Sequence, residues 1–377
     1  MIRIFSCLFQ IFNIIIQKDD KFSIVSSIVD RFYSILNGIT MSANAMKIFQ
    51  EAVKKDIDFC DSFLSVNVST IESVKRQILN SDILKNNSHF NYFLKLLSNA
   101  PILRPESTRF FDSILKELIP FIQKSFSPFE ISEMFHTKSQ CLTLIEEKVI
   151  KLNQLYSKFS NDLSFLMFFY GDLTQHFSSL CQSKKNENKI VEDFVNNTDW
   201  NEFRRERKKL INQNEIAYSI REDNIELFIE KVYRFQHKID ENVAINLHSI
   251  NSDELNFNIQ IEHSPVETTG PINNLEKMPT LIEYSAFYGS TKIFKFLTSK
   301  MKENEIKQNS PELAYFASIG GDIEIAKYLL NLNYEFNEKC LNGAIEFHRY
   351  EVSNLIGPHP SFLTLVWSLN HQNFSYF

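Results

Sequence analysis

Three stretches near the C-terminus are copies of one unit, and that repetition limits the fold more than any single residue does. They read TLIEYSAFYGSTKIFKFL from Thr280, ELAYFASIGGDIEIAKYLL from Glu312 and CLNGAIEFHRYEVSNLI from Cys340. With Ser285-Ala286, Ala317-Ser318 and Ala344-Ile345 superposed, the steps between copies are 32 and 27 residues. A period near 30 is that of stacked helical hairpins, each of which needs a neighbour to cover its apolar face. The small pairs predict mid-helix positions where adjacent hairpins approach closely. Gly289 and Gly321 share one aligned position, where a first helix must stop in a left-handed conformation before the chain reverses. The third copy has His348 there, a side chain that enters positive φ at a cost of roughly 1 kcal/mol relative to glycine. Each turn precedes an amphipathic helix, with Ile293, Phe296 and Leu297, then Ile325, Tyr328 and Leu329, then Val352, Leu355 and Ile356 facing a shared core.

A weaker fourth copy, EIAYSIREDNIELFIEKV, places Ser219 two periods of 33 before Ser285. Between them, residues 240–278 differ in character. Leu255, Phe257, Ile259 and Ile261 alternate and are followed by Pro265, Gly270 and Pro271, which predicts a short extended strand and then a loop. Such an insertion is expected to project from one edge of the array, as a binding finger or as an inert loop.

The unit resembles the ankyrin repeat, whose consensus runs Thr-Pro-Leu-His-x-Ala-Ala-x-x-Gly, then a second helix with paired leucines, then a Gly-Ala-Asp-Val-Asn finger. Leu329 to Asn337 follows the later part, with Asn333 at the glycine position. Glu283 and Tyr315 replace the consensus histidine, and Pro279 and Pro311 sit two places early, where they suit a first helical turn with Ser310 as cap. The wording SAFYGSTKIFKFL is similar to the divergent ankyrin-like families expanded in parasitic protists, for which no common biochemical activity is established. The resemblance covers roughly the last 160 residues, most strongly from Pro279 onward. It implies a surface that binds another protein, with the residue after each small pair pointing into a concave groove. Here those residues are Phe287, Ile319 and Glu346.

Composition favours an all-α protein. Eight glycines are few for an enzyme built on tight phosphate loops, while 35 phenylalanines supply bulk for helical cores. A net charge of −6 provides no global attraction for nucleic acid. The five cysteines, Cys7, Cys60, Cys141, Cys181 and Cys340, are far apart and lack a Cys-x-x-Cys, which argues for reduced thiols over a disulfide framework or a zinc site. The expected setting is cytoplasmic, with secretion and nuclear import as alternatives. MIRIFSCLFQIFNIII is too short to span a bilayer, so residues 1–40 form a leader that is a signal peptide, a buried helix or the product of a wrong start ahead of Met41 or Met46.

Residues 41–200 are helical by pattern and unaligned with the repeats. Ser107 is expected to cap a helix bearing Phe110, Phe111, Ile114, Leu115, Leu118 and Ile119, ended or kinked at Pro120. Ile145, Val149, Leu152, Tyr156, Phe159, Leu163, Leu166 and Tyr170 form a heptad seam, read as a bundle helix or a dimerisation helix. Arg204 to Lys209 is the one basic run, an import signal or a solvated helix face. Phosphate loops, dinucleotide turns, nucleophile elbows and zinc-binding helices are missing from the sequence, and the nine histidines are scattered. Together these features predict an all-α chain: an N-terminal helical bundle over 41–200, then an ankyrin-type hairpin solenoid over 203–370 with its insertion near 240–278. The expected function is noncovalent binding of another protein, without cofactor, metal, nucleic acid or membrane span. The rivals are an enzyme with its site in 41–200 and a structural protein that self-associates through the heptad helix.

Overall fold

The chain enters the left-handed region at Asp223, Gly289, Gly321 and His348, with φ of 47°, 66°, 83° and 53°. Each lies four residues after an aligned small residue, Ser219, Ser285, Ala317 or Ala344. The computed structural model describes residues 58–174, 177–209, 212, 214–245, 250–261, 264–267 and 278–357. Among them the secondary structure is helical, and no strand forms. The leader, Met41, Met46, Cys7 and the end of the predicted repeat region beyond 357 lie outside the described residues.

At each turn the residues after the first helix send amides back to its last carbonyls. Asn224, Ser290 and Arg349 donate to the carbonyls of Ser219, Ser285 and Ala344 at 3.2, 2.9 and 2.8 Å, and Gly321 donates to Ala317 at 3.1 Å. Glycine makes this reversal without strain, and the aspartate and histidine replacements pay a modest conformational cost. The result is four helix pairs: α11 (Glu215–Arg221) with α12 (Ile225–His237), α13 (Leu281–Phe287) with α14 (Thr291–Lys300), α16 (Leu313–Gly320) with α17 (Ile323–Asn331), and α18 (Glu338–Glu346) with α19 (Tyr350–Ile356). First helices pack in the order α11, α13, α16, α18, and second helices in the order α12, α14, α17, α19. Ser285, Ala286, Ala317, Ser318 and Ala344 are buried at the crossings, where larger side chains would hold the rows apart. Leu297, Ile325 and Leu329 are buried as the pattern predicts.

The unequal steps have a simple origin. The 32-residue step carries an additional helix, α15 (Glu303–Asn309), whereas α17 reaches α18 through a short crossing in which Asn333 takes φ 55°. Glu283 also acquires a reason. Its carboxylate accepts the Thr280 amide at 3.0 Å and the Glu312 amide of the next pair at 3.2 Å, so it closes its own helix start and clamps the next one. Two local expectations change here. Pro279 and Pro311 precede the caps Thr280 and Glu312 and lie outside the first helical turn. The Ser310 hydroxyl does not cap α16 but bonds Thr280 Oγ1 at 2.7 Å.

Residues 71–206 form the helices α1 (Ile71–Asn80), α2 (Asn87–Leu103), α3 (Thr108–Ser125), α4 (Pro128–Met134), α5 (Lys138–Glu146), α6 (Tyr156–Asn161), α7 (Leu163–Leu173), α8 (Ser178–Glu187), α9 (Lys189–Asn197) and α10 (Trp200–Glu206). The expected heptad helix does not exist as one rod. Lys148, at φ 59°, ends α5, and Asp162 adopts an extended conformation to cap α7, so the seam falls on three helices and a turn. Phe159 and Leu166 are fully buried and Tyr156 is exposed, which is core packing within the chain rather than a continuous stripe. The Lys148 turn has the bonding of the repeat turns, with Val149 donating to Leu144 at 2.9 Å. Helix α3 runs on through Pro120, and Ser107 donates to the Val66 carbonyl at 3.0 Å instead of capping.

From Phe59 onward the chain forms one compact unit. Its principal buried core runs from Cys60 to Phe347 without a break at the expected boundary near 200–203. The insertion joins that core. Residues 255–261 form no strand, and only an isolated antiparallel bridge joins Gln260 to Thr280. Phe257 stacks at 6.1 Å on Phe228 and meets Phe296 edge-on at 5.5 Å, while Ile261, Val266 and Glu267 are buried. In its described part the segment is therefore packing material and not a projecting finger. Truncating Leu329 to alanine is expected to cost about 2–5 kcal/mol by opening a cavity between hairpins, read as a fall in the denaturant midpoint at unchanged slope.

Candidate functional site

The position after each small residue pair is occupied by Arg221, Phe287, Ile319 and Glu346 along the first-helix row. Phe287 is 3% exposed and Ile319 fully buried, so they do not line an open groove. The reason is close helix approach. A Cβ on Gly320 would sit 2.3 Å from the Ala286 carbonyl oxygen, so α16 lies almost backbone to backbone on α13. Phe287 is left packing edge-on against Phe347, with centroids 6.5 Å apart. A Cβ on Gly343 would come within 2.8 Å of Ile319 Cγ2, which puts Ile319 beneath α18. Both are core residues joining neighbouring hairpins.

Glu346, in contrast, is only half-buried and lines a cleft of about 320 Å³ with Tyr315, Glu338, Lys339, Asn342 and Gly343. Gly343 is the floor, because a side chain there would meet the Tyr315 ring at 2.7 Å. The Lys339 ammonium stands 4.4 Å from the centre of the Tyr315 ring and pairs with Glu312. Burial, with the Glu346 and Glu312 carboxylates nearby, pushes the Tyr315 phenol up to about 12, so it remains a neutral donor at physiological pH. The Oδ1 atom of Asn342 is buried and accepts no hydrogen bond among the described residues. Sequence reasoning reached Glu346 but missed the other five, although Tyr315 and Asn342 hold equivalent positions two residues before the small pair.

Two further polar clusters tie the helices of residues 71–206 to the helix pairs that follow them. Tyr284 donates to Glu267 Oε1 at 2.5 Å and Tyr288 at 3.4 Å, Arg221 covers the Tyr288 ring at 4.9 Å, and the Lys138 ammonium donates to the Glu267 carbonyl at 2.5 Å and to Ser164 Oγ at 2.6 Å. Burial raises the Glu267 carboxyl and pushes the Lys138 ammonium down to about 7, the latter opposed by the Asp162 and Glu267 carboxylates. In the second cluster Arg104 donates to the carbonyls of Leu103 and Phe347 at 2.7 Å and of His348 at 3.1 Å, while Arg349 donates to Ile319 at 2.9 Å. Burial, and then Arg104 beside it, push Arg349 down to about 9.

The region expected to hold an enzyme's site contains a half-buried carboxyl, Asp112, which accepts a hydrogen bond from Ser139 at 3.3 Å. Burial pushes it up to about 7. The buried Cys141 thiol is raised to about 12 by burial and bonds the Phe135 carbonyl, so it is a poor nucleophile. Cys60, Cys181 and Cys340 are likewise buried and form no disulfide among the described residues. The basic run is largely paired: Arg204 and Arg207 meet Asp172, Lys208 meets Glu146, and Arg205 and Lys209 meet Glu206. Arg207 is itself buried, under Phe168. This run is therefore mainly a set of intramolecular ties. Among the described residues no group of acidic, histidine or cysteine side chains is placed to hold a metal ion, and no helix is long and apolar enough to cross a membrane.

Comparison with protein-family models, with curated proteins and with solved structures gives no match to this chain. Two outcomes test the geometry. Phe287→Ser is expected to destabilise the protein by about 3–5 kcal/mol in denaturant titration, since it replaces a buried ring with a cavity and a hydroxyl. Because Asp112 has a folded pKa above its unfolded value, its contribution is fully present below about pH 4 and falls away as pH rises towards 7. Asp112→Asn should match wild type near pH 4 and exceed it by about 1–4 kcal/mol at pH 8, measured by urea unfolding at both pH values.

Proposed function

We propose that this chain is a non-catalytic protein-binding module whose working surface is an ankyrin-like stack of helical hairpins. One observation carries the reading: four helix pairs turn through the left-handed region at the same distance from the same small residue, and both helix rows pack in sequence order. Independent units of this kind make extended surfaces for macromolecules and seldom enclose a substrate. The Asn333 turn and the second-helix leucines favour the ankyrin-like variety of such stacks. Self-association through residues 145–170 loses its support, because no single helix presents that seam.

Among the described residues the cleft beside α18 offers the surface. Phe287 and Ile319 hold the stack together, and the half-buried Glu346 lines the cleft with its neighbours. Affinity purification of the full chain from its own cells, with quantitative mass spectrometry, tests this reading against a Glu346→Arg variant. A defined set of proteins should be retained by the wild type and reduced several-fold on the variant, which introduces like-charge repulsion against any cationic partner group. Retention of no protein above background, together with turnover in a hydrolase and transferase substrate panel, would transfer the function to an enzyme.

A further inference from the structure

We propose that the face formed by the turns after α13 and α16 binds a phosphate monoester carried on a side chain of the partner protein. This rests on the protein-binding reading and adds a ligand chemistry to it. Three arginines lie on that face. Arg221, at the end of α11, stands over Tyr288 in the turn after α13. Arg349 reaches back past Gly321 to the Ile319 carbonyl, at 2.9 Å, in the neighbouring turn after α16. Arg104 and Arg349 both donate to the Leu103 carbonyl, at 2.7 and 3.5 Å, so these two guanidiniums are side by side. None of the three forms an ion pair among the described residues, and the acceptors of Arg104 and Arg349 are main-chain carbonyls, which carry only partial charge. Glu106, exposed on the segment that carries Arg104, is the carboxylate common to all three; it works against burial to keep them charged, with Asp61 also facing Arg104 and Glu267 facing Arg221.

Arg221 is the centre of the site. Its guanidinium stands 4.9 Å from the centre of the Tyr288 ring, and Tyr288 is held in turn by its hydrogen bond to Glu267 at 3.4 Å. Stacking occupies the face of a guanidinium and leaves its edge of N–H donors, which here meet no acceptor among the described residues. Arg221 is half-buried, yet none of its nitrogens is both buried and unpaired, so that edge faces solvent. A phosphate monoester matches it. Two of its oxygens fit the planar fork, and it brings nearly two negative charges to guanidiniums that otherwise meet partial ones. A carboxylate side chain brings less charge, and that of Glu106 already lies nearby without closing an ion pair among the described residues. A basic segment would be repelled.

The test uses the full chain and a fluorescein-labelled glycine-serine peptide carrying one phosphoserine, with the unphosphorylated peptide as counterpart, read by fluorescence anisotropy. The phosphopeptide should saturate and its counterpart should not bind. Arg221→Gln should weaken binding about tenfold at an unchanged unfolding midpoint, and Glu106→Gln, which removes the competing carboxylate, should tighten it about threefold. The second variant decides the matter if the first lowers the midpoint, because damage to the fold does not raise affinity. Lys302→Gln, exposed ahead of α15, should leave the affinity unaltered. Inorganic phosphate should compete only at about tenfold higher concentration than the unlabelled phosphopeptide, since a peptide adds contacts beyond its phosphate. Competition at equal concentration would make the ligand a free ion and overturn the inference. It also fails if the phosphopeptide does not saturate, if Lys302→Gln weakens binding as much as Arg221→Gln, or if Arg221→Gln and Glu106→Gln leave the affinity intact. Partner capture that survives both phosphatase treatment and Arg221→Gln would preserve the protein-binding reading and remove this one.

Discussion

A helix that stops inside a protein leaves its last carbonyls without water, and four first helices of this chain stop that way. The left-handed residue at Asp223, Gly289, Gly321 and His348 reverses the chain so that following amides cover part of the debt. What remains goes to side chains from elsewhere in the sequence. Arg104 takes the Phe347 and His348 carbonyls, Arg349 takes that of Ile319, and Ser290 reaches back to Ile220 at 2.5 Å. Buried cations at helix C-termini are favourable because the carbonyl ends carry partial negative charge. The stacking of the array, and its attachment to the helix α2 that precedes Arg104, both follow from satisfying those oxygens.

The same packing leaves Glu346 less covered than Phe287 and Ile319. The side chains placed after the small pair at Phe287 and Ile319 are covered by the first helices that follow them. At Glu346 the covering helix is lacking among the described residues, and the position is polar. The charged residues nearer the middle are spent on cohesion, with Arg221 over Tyr288 and Lys138 on the Glu267 carbonyl.

The left-handed turns between helices were legible because backbone demands print on single positions. Small residues at 285, 317 and 344 and turn residues at 289, 321 and 348 have few chemical alternatives, and the structure places them as the spacing implies. The helix of the heptad seam was not legible, since a 3.5-residue period fits short buried helices as well as a rod, and nothing in Glu147-Lys148 signals that lysine will take a left-handed conformation. Nor was the direction of Phe287. An apolar residue at a groove position reads alike whether it is exposed or covered, and the decisive feature, Gly320 admitting the neighbouring helix, acts through space. The alternation at 255–261 was real, but its partner is one residue pair at Thr280, too little for a strand.

The turn at Gly321 does more than reverse the chain. A Cβ there would lie 2.2 Å from Cδ of Arg349, so the absent side chain is the space through which the following hairpin reaches the Ile319 carbonyl. Each member of this junction is fitted to the other and to no other copy: Gly289 faces Asp322 with room to spare, at 3.6 Å. The units are thus alike in backbone but not interchangeable. A side chain at 321 would meet Arg349, so a change at either position is felt at the other.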